Sequence, residues 1–261
     1  MITRNFKKIE QSISSKILRH RLLAKIYALL KNKTCYCCPI CAYNGPFLDV
    51  VLSAGKRKDV RCPMCRSYER NRLQYLVFKK ITMTLEMDKM KILHFAPEEC
   101  FEYEFRELFG EYLSADLNNP NVDCQEDLTH LSFQSDSFDI VYASHVLEHI
   151  KEDELALEEI KRILKKGGFA ILPVPIIGQK TVEYPEANPN EENHVRCSGI
   201  DYFKKYMKHF SKVEIYSSKD FDKRYQLYIY EDRMNCSKRL MPLRQKVDGK
   251  KHEDFVPICF K

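Results

Sequence analysis

The chain reads as an α/β protein built on a mostly parallel sheet, entered through a small cysteine-rich module and an N-terminal amphipathic helix. Three observations predict this. From Lys91 onward, short apolar runs alternate with segments of helical periodicity, the pattern that places helices on both faces of a parallel sheet. Six cysteines crowd between Cys35 and Cys65, a stretch too short for a core of its own. Residues Met1 to Thr34 set Phe6, Ile9, Ile13 and Ile17, then Leu22, Ile26 and Leu29, at the i, i+3, i+4 spacing of one helical face.

Taken in order, residues 1–34 form the basic amphipathic helix and residues 35–65 the cysteine module, with a strand-like run from Phe47 to Leu52 and a turn at Ala54 to Lys56. Residues 66–89 connect: Arg66 to Glu86 reads as a helix with Leu73, Leu76, Val77, Ile81 and Leu85 on one side and Arg66, Arg70 and Arg72 near its start. Residues 90–235 form the α/β domain. Its strands are expected at Lys91 to Ala96, Glu111 to Asp116, Phe138 to Ser144, Phe169 to Pro175, Val213 to Tyr216 and Tyr225 to Tyr230. Helices fill the gaps at Glu99 to Phe109, stopped by Gly110, at His145 to Lys166, stopped by Gly167 and Gly168, and at Ile200 to Phe210. The polar stretch Gly178 to Asn193, with Pro185 and Pro189, follows a strand's C-terminal end and reads as a substrate-side loop. Residues 236–261 are left as a tail.

Composition excludes several classes. With 44% hydrophobic and 31% charged residues among 261, and only 8 Gly and 11 Pro, the chain is neither disordered nor collagen-like. The run from Phe169 to Ile177 is well short of the ~18 apolar residues that span a bilayer, and no signal-peptide pattern opens the chain, so a soluble cytoplasmic protein is expected. The net charge of +6 conceals a division: Met1 to Lys80 holds 18 Lys and Arg against 4 acids, leaving −8 on the remainder. A basic front on an acidic body suggests an anionic partner, nucleic acid or a membrane surface, with solvated helix faces as the plainer reading.

Eleven cysteines, an odd count in a long chain without an export signal, argue for metal rather than disulfides. Cys38-Pro-Ile-Cys41 and Cys62-Pro-Met-Cys65 are matched C-P-x-C pairs separated by 20 residues, the spacing of a zinc ribbon. Cys35-Tyr-Cys37-Cys38 is itself a C-x-x-C, and a redox dithiol is the rival reading. Four thiolates leave no open position for water, so the expected Zn2+ is structural.

The strand Lys91 to Ala96 runs into Pro97-Glu98-Glu99 and a helix, and 20 residues after Ala96 a second strand ends in Ala115-Asp116-Leu117. A carboxylate there accepts from ribose hydroxyls in nucleotide-binding α/β folds, which makes the sheet Rossmann-like. Further on, Glu126-Asp127-Leu128 offers an acid to an adenine amino group. Asp116, Asp127-Leu128, the segment Ser137-Phe-Asp-Ile-Val-Tyr-Ala-Ser-His-Val-Leu-Glu-His149, and Glu159-Ile-Lys-Arg-Ile-Leu-Lys-Lys-Gly-Gly168 resemble the successive motifs of class I S-adenosylmethionine-dependent methyltransferases over about Lys91 to Pro175. More narrowly, Cys62 to Leu73, Leu93-His-Phe-Ala-Pro-Glu98 and Asn193-His-Val-Arg196 resemble a zinc-ribbon branch associated with bacterial cell-surface saccharide synthesis.

The resemblance implies an S-adenosylmethionine site formed by His94, Ala96, Glu98, Asp116, Leu117, Asp127, Leu128 and Ser144. Where such enzymes carry Gly-x-Gly-x-Gly, this chain has Ala96, Glu98 and Cys100, so the loop is rebuilt, with Glu98 or His94 facing the methionine end. Loss of cofactor binding is the alternative.

Methyl transfer from a sulfonium needs positioning and no catalytic metal, but a sugar hydroxyl gains from a base. His145, just past the strand at Phe138 to Ser144, and His194, beyond the polar loop, are the candidates, with a helix-start role as the plainer reading of His145. His149 reads as structural. Arg196 suits an acidic or phosphorylated substrate, while His20, His130 and His252 carry no motif. The expected function is O-methylation of a saccharide or lipid-linked saccharide precursor. Residues 1–33, with 9 basic against 1 acidic residue, would rest on the inner face of the membrane unless their apolar stripe packs on the chain's own catalytic domain. An RNA methyltransferase presenting RNA through the ribbon is the first rival, and a non-enzymatic binding module the second.

Overall fold

The computed structural model describes residues 21–30, 32–52, 55–232 and 251–261. They divide into two units, one from the described residues of 21–78, 218–232 and 251–254, the other from 79–217 and 255–261.

In the first unit, helix α1 (Arg21–Leu30) buries Ala24 and Ala28, whose small side chains allow close approach. Ala24 packs with Tyr43, Phe47, Cys38 and Cys62. Of the apolar face expected here, Ile26 is exposed and Leu29 is 82% exposed, so these two side chains point to solvent. Phe6, Ile9, Ile13 and Ile17 lie outside the described residues. Strands β1 (Tyr36–Cys37) and β2 (Asn44–Gly45) pair antiparallel around the first cysteine pair, and β3 (Leu48–Leu52) and β4 (Gly55–Arg61) lead into the second. Helix α2 (Glu69–Ile81) starts later than expected because Arg66 is left-handed, φ 63°.

The second unit opens with β5 (Lys91–Phe95), α3 (Glu99–Leu108), β6 (Glu111–Asp116), β7 (Cys124–Gln125) and β8 (Phe138–Ala143). It continues with α4 (Asp153–Ile163), β9 (Leu164–Ile171), the antiparallel pair β10 (Val182–Asn188) and β11 (His194–Cys197), α5 (Phe203–His209) and β12 (Lys212–Ser217). The chain then returns to the first unit, where β13 (Ile229–Asp232) and β14 (Lys251–His252) extend that unit's sheet in the order β14-β13-β4-β3. The strand expected at Tyr225 to Tyr230 is thus shifted and belongs to the first unit. Finally β15 (Phe255–Phe260) enters the large sheet, whose order is β12-β15-β9-β8-β5-β6-β7. Strands β7, β6, β5, β8 and β9 are parallel, and β15 runs antiparallel to both its neighbours.

Residues 255–260, expected in a tail, are therefore an interior strand of the large sheet. Val256, Ile258 and Cys259 are fully buried. The central strands read as near-continuous apolar runs because both faces are covered, and Leu93, Val141, Ile160 and Ala170 meet in one core.

Two expectations are corrected by tertiary contacts. The helix expected from His145 begins only at Asp153, because the Arg196 guanidinium takes hydrogen bonds away from helix formation: it donates to the carbonyls of Leu147, Ile150 and Lys151. The helix also ends at Ile163, and β9 starts at once at Leu164, ahead of the Gly167-Gly168 stop. A Cβ at Gly168 would lie 2.7 Å from the Asp139 carbonyl, so that glycine serves the close approach of β9 to β8. The polar loop from Gly178 to Asn193 is in large part strand β10, pinned against β11.

Candidate functional site

At the C-terminal edge of the large sheet, Ala96 follows β5 in the left-handed region, φ 50°, and its N–H donates to the Ala115 carbonyl at 2.8 Å. This is a conformation glycine favours, reached here with the smallest chiral side chain. His94 does not face this edge. It is fully buried among Phe105, Tyr112 and Tyr142, its Nδ1 lies 3.0 Å from the Tyr112 hydroxyl, and its Nε2 lies 3.0 Å from Glu98 Oε2. His94 is thereby a positioning residue for Glu98.

Asp116 ends β6 and uses Oδ1 to accept from the N–H groups of Asn118 and Asn119, both at 2.8 Å, which curls the following loop around the carboxylate. Leu117 is exposed beside it. Asp127 accepts from the N–H and hydroxyl of Thr129, and those two bonds hold its carboxyl below the usual aspartate range. Leu128 is 1% exposed within the core, so only its backbone is offered to a ligand. Glu159 and Arg162 anchor this loop: Glu159 accepts from the Leu131 N–H at 2.9 Å, and Arg162 donates to Glu159 and to the carbonyls of Leu131 and Phe133.

After β8, buried Ser144 leads to His145, left-handed at φ 57° and held by its N–H on the Pro173 carbonyl. His145 Nδ1 lies 3.1 Å from Glu148 Oε1. Burial works to raise the Glu148 carboxyl, but the His145 hydrogen bond and charge hold it below the usual glutamate range. Glu148 is therefore an acceptor, and His145 Nδ1–H donates to it. Strand β11 adds His194, whose ring centroid lies 4.7 Å from that of His149, and burial pushes its imidazole below the usual histidine value. The structure thus brings together both predicted bases and adds Glu148 and His149. The spacing His145-x-x-Glu148-His149 is visible in the sequence, but Glu148 is not among the residues expected at the site.

In the first unit, Cys38 Sγ lies 3.6 Å from Cys65 Sγ and Cys41 Sγ lies 3.5 Å from Cys62 Sγ, with all four sulfurs within 4.8 Å of one another. A tetrahedral ion with ~2.3 Å metal–sulfur bonds has edges of about 3.8 Å, so the four residues fit zinc. Cys35 is exposed and outside the cluster.

Residues 93–172 match a family model described as a methyltransferase domain. The chain carries a methyltransferase domain. Its seven-stranded sheet with flanking helices has the class I form of that fold. Solved structures similar to the chain include an S-adenosylmethionine-dependent methyltransferase from Mesorhizobium loti (14% identity over 69% of this chain and 94% of that one, TM-score 0.44). Another is a methyltransferase of the same dependence from Archaeoglobus fulgidus (14%, 72% and 94%, 0.42). A third is a Haemonchus contortus N-methyltransferase solved with phosphomonomethylethanolamine and S-adenosylhomocysteine (15%, 72% and 52%, 0.48). No curated protein matches the sequence.

Within the methyltransferase domain, the turn at Ala96, the carboxylate at the tip of β6 and the Asp127 turn fit a nucleoside cofactor: a small residue where the backbone must be open and two acids at strand ends. Arg196 fits no substrate. It is 1% exposed, its Nε donates to Glu183 at 2.9 Å, and its other nitrogens serve the carbonyls at 147, 150 and 151. The expected anchor is instead a clamp that fixes the 147–151 turn against β11, and with it the meeting of His149 and His194.

Proposed function

We propose that the protein is an S-adenosylmethionine-dependent methyltransferase that methylates a hydroxyl group of a saccharide or lipid-linked saccharide precursor. The His145–Glu148 pair carries this reading: it sits just beyond β8, in the methyltransferase domain, with an imidazole that Glu148 holds through Nδ1 and whose buried Nε2 has no hydrogen-bond partner. A poor nucleophile such as a sugar hydroxyl is what requires that arrangement, worth roughly 10²–10⁴-fold in rate. S-adenosylmethionine supplies an already activated methyl group when bound. Asp116 would hold its ribose, the Ala96 turn would let the methionine end approach, and His145 Nε2 would take the acceptor proton.

The acceptor class is supported by the hairpin β10–β11. It presents Glu183 and Glu186 with Tyr184, and within Val182 to Cys197 the one Lys or Arg is the buried Arg196. Carboxylates and a phenol suit hydroxyl donors and repel a phosphate backbone. The Cys62–Leu73, Leu93–Glu98 and Asn193–Arg196 resemblances support the same class. For the membrane, the exposed Leu23, Ile26 and Leu29 on α1 support contact through residues 1–33, alongside their basic excess. Among the described residues no helix is long and apolar enough to cross a bilayer.

Incubation with methyl-labelled S-adenosylmethionine and, in parallel, nucleotide-activated sugars, lipid-linked saccharide extracts and structured RNA tests the reading. Label in saccharide, reduced at least a hundredfold by His145→Ala, is expected. Label in RNA would replace the substrate class, and label in neither, with cofactor bound, would favour a binding module.

A further inference from the structure

The geometry points to a second metal site in the catalytic unit: Glu148, His149 and His194 hold a divalent transition-metal ion that binds the acceptor hydroxyl. This rests on the methyl-transfer reading for its role but not for its existence.

Ligand atoms of these three side chains lie within 4.8 Å of one another, and the set is two imidazoles and a carboxylate. Such a triad occupies one face of an ion and leaves open positions for oxygen ligands, unlike the closed sulfur tetrahedron of Cys38, Cys41, Cys62 and Cys65. The second observation is Glu148 itself. It is 1% exposed, Oε1 is engaged by His145, and Oε2 is buried with no hydrogen-bond partner. A buried carboxylate oxygen without a partner is costly to the fold, and an ion on Oε2 removes that cost. The surroundings keep the three in place. Arg196 ties the turn carrying Glu148 and His149 to the strand carrying His194, and the two rings already meet edge to face.

The arrangement divides the work between the ion and His145. Two neighbouring hydroxyl oxygens of a sugar fill the open positions, and the ion makes the acceptor hydroxyl more acidic. Its proton passes to His145 Nε2, which Glu148 orients through Nδ1. The acceptor oxygen forms the new bond to the methyl carbon, and the carbon–sulfur bond breaks with its electron pair returning to the sulfonium sulfur, leaving an ether and a neutral thioether.

Equilibrium dialysis of the tag-free full chain against Zn2+, with metal counted by mass spectrometry, is the test. Two ions per chain are expected. His149→Ala, at an exposed position, and His194→Ala should each lose one ion while keeping the other, and Cys62→Ser should lose the other. Circular dichroism and S-adenosylhomocysteine affinity, read on the same preparations, should be unchanged in His149→Ala. A wild-type chain that holds one ion, removed by Cys62→Ser, overturns the proposal, as does a His149→Ala chain that holds two. Two ions in a chain that binds no S-adenosylhomocysteine would keep the metal site and fell the methyl-transfer reading instead.

Discussion

His94 Nε2 lies 3.0 Å from Glu98 Oε2, so a fully buried imidazole in β5 fixes the carboxylate just past the turn at Ala96. That pairing braces the turn at Ala96, where the family the sequence resembles carries glycines. The remaining cost is the left-handed backbone at Ala96, of order 1 kcal/mol for an L residue. Ala96→Gly removes it but adds ~0.4–1 kcal/mol of unfolded-chain entropy, so its stability should stay within about 1 kcal/mol of wild type. Ala96→Val, branched at Cβ, should lose more than about 1 kcal/mol. Denaturant unfolding measures both, and equal stability of the two variants would reject the account.

Arg72 holds the first unit together from inside. It is 0% exposed, and it donates to the carbonyls of Val60, Ser67, Tyr225 and Gln226 while its guanidinium lies 4.4 Å from the centroid of Phe47. A lysine keeps the charge but not the planar fork, so Arg72→Lys should lose about 3 kcal/mol or more. Faster loss of zinc to a chelator should accompany it. A cost under about 1 kcal/mol would mean that the bonds from the second cysteine knuckle to residues 225 and 226 are dispensable.

Which cysteines hold the ribbon's ion follows from the sulfur cluster. Cys62→Ser should release it, and Cys35→Ser should leave it bound, because the Cys35 thiol is exposed and lies outside the cluster. Zinc released by Cys35→Ser and kept by Cys38→Ser would reverse the assignment.

Much of this was legible in the sequence because it depends on short-range spacing. The two C-P-x-C knuckles, the apolar runs of β5, β6 and β8, and Asp116 at a strand tip are local patterns. What was hidden depends on residues far apart. Arg196 breaks a helix that the sequence favours, from 45 residues away and more. Strand β15, read as tail, enters the sheet after an excursion through the other unit. Its six residues alone do not say where they pair. The basic charges near the start of α2 looked like surface, yet Arg72 is buried because four carbonyls from three segments converge on it.

Glu159 and Arg162 set a pH-dependent contribution to the acid loop. The Arg162 hydrogen bond holds the Glu159 carboxyl below its usual range, with burial working against it. Because the folded value is depressed, the contribution is complete above the ordinary glutamate value of about 4.3 and is lost as pH falls through the lower folded value. Glu159→Gln should therefore be about 1.5–3 kcal/mol less stable than wild type near neutrality, with the gap narrowing only below about pH 4. A gap that narrows between about pH 8 and pH 6 would contradict this.

Calorimetric titration of the zinc-loaded chain with S-adenosylmethionine and S-adenosylhomocysteine tests the central claim most directly. One site per chain is expected for both ligands, with Asp116→Ala weakened more than tenfold, since a charged acceptor lost to two ribose hydroxyls costs ~1.5–3 kcal/mol. Asp116→Asn, which keeps an acceptor for the Asn118 and Asn119 N–H groups, should weaken binding too, separating ribose contact from loop folding. No heat and no binding in the folded, zinc-loaded wild type would contradict the account.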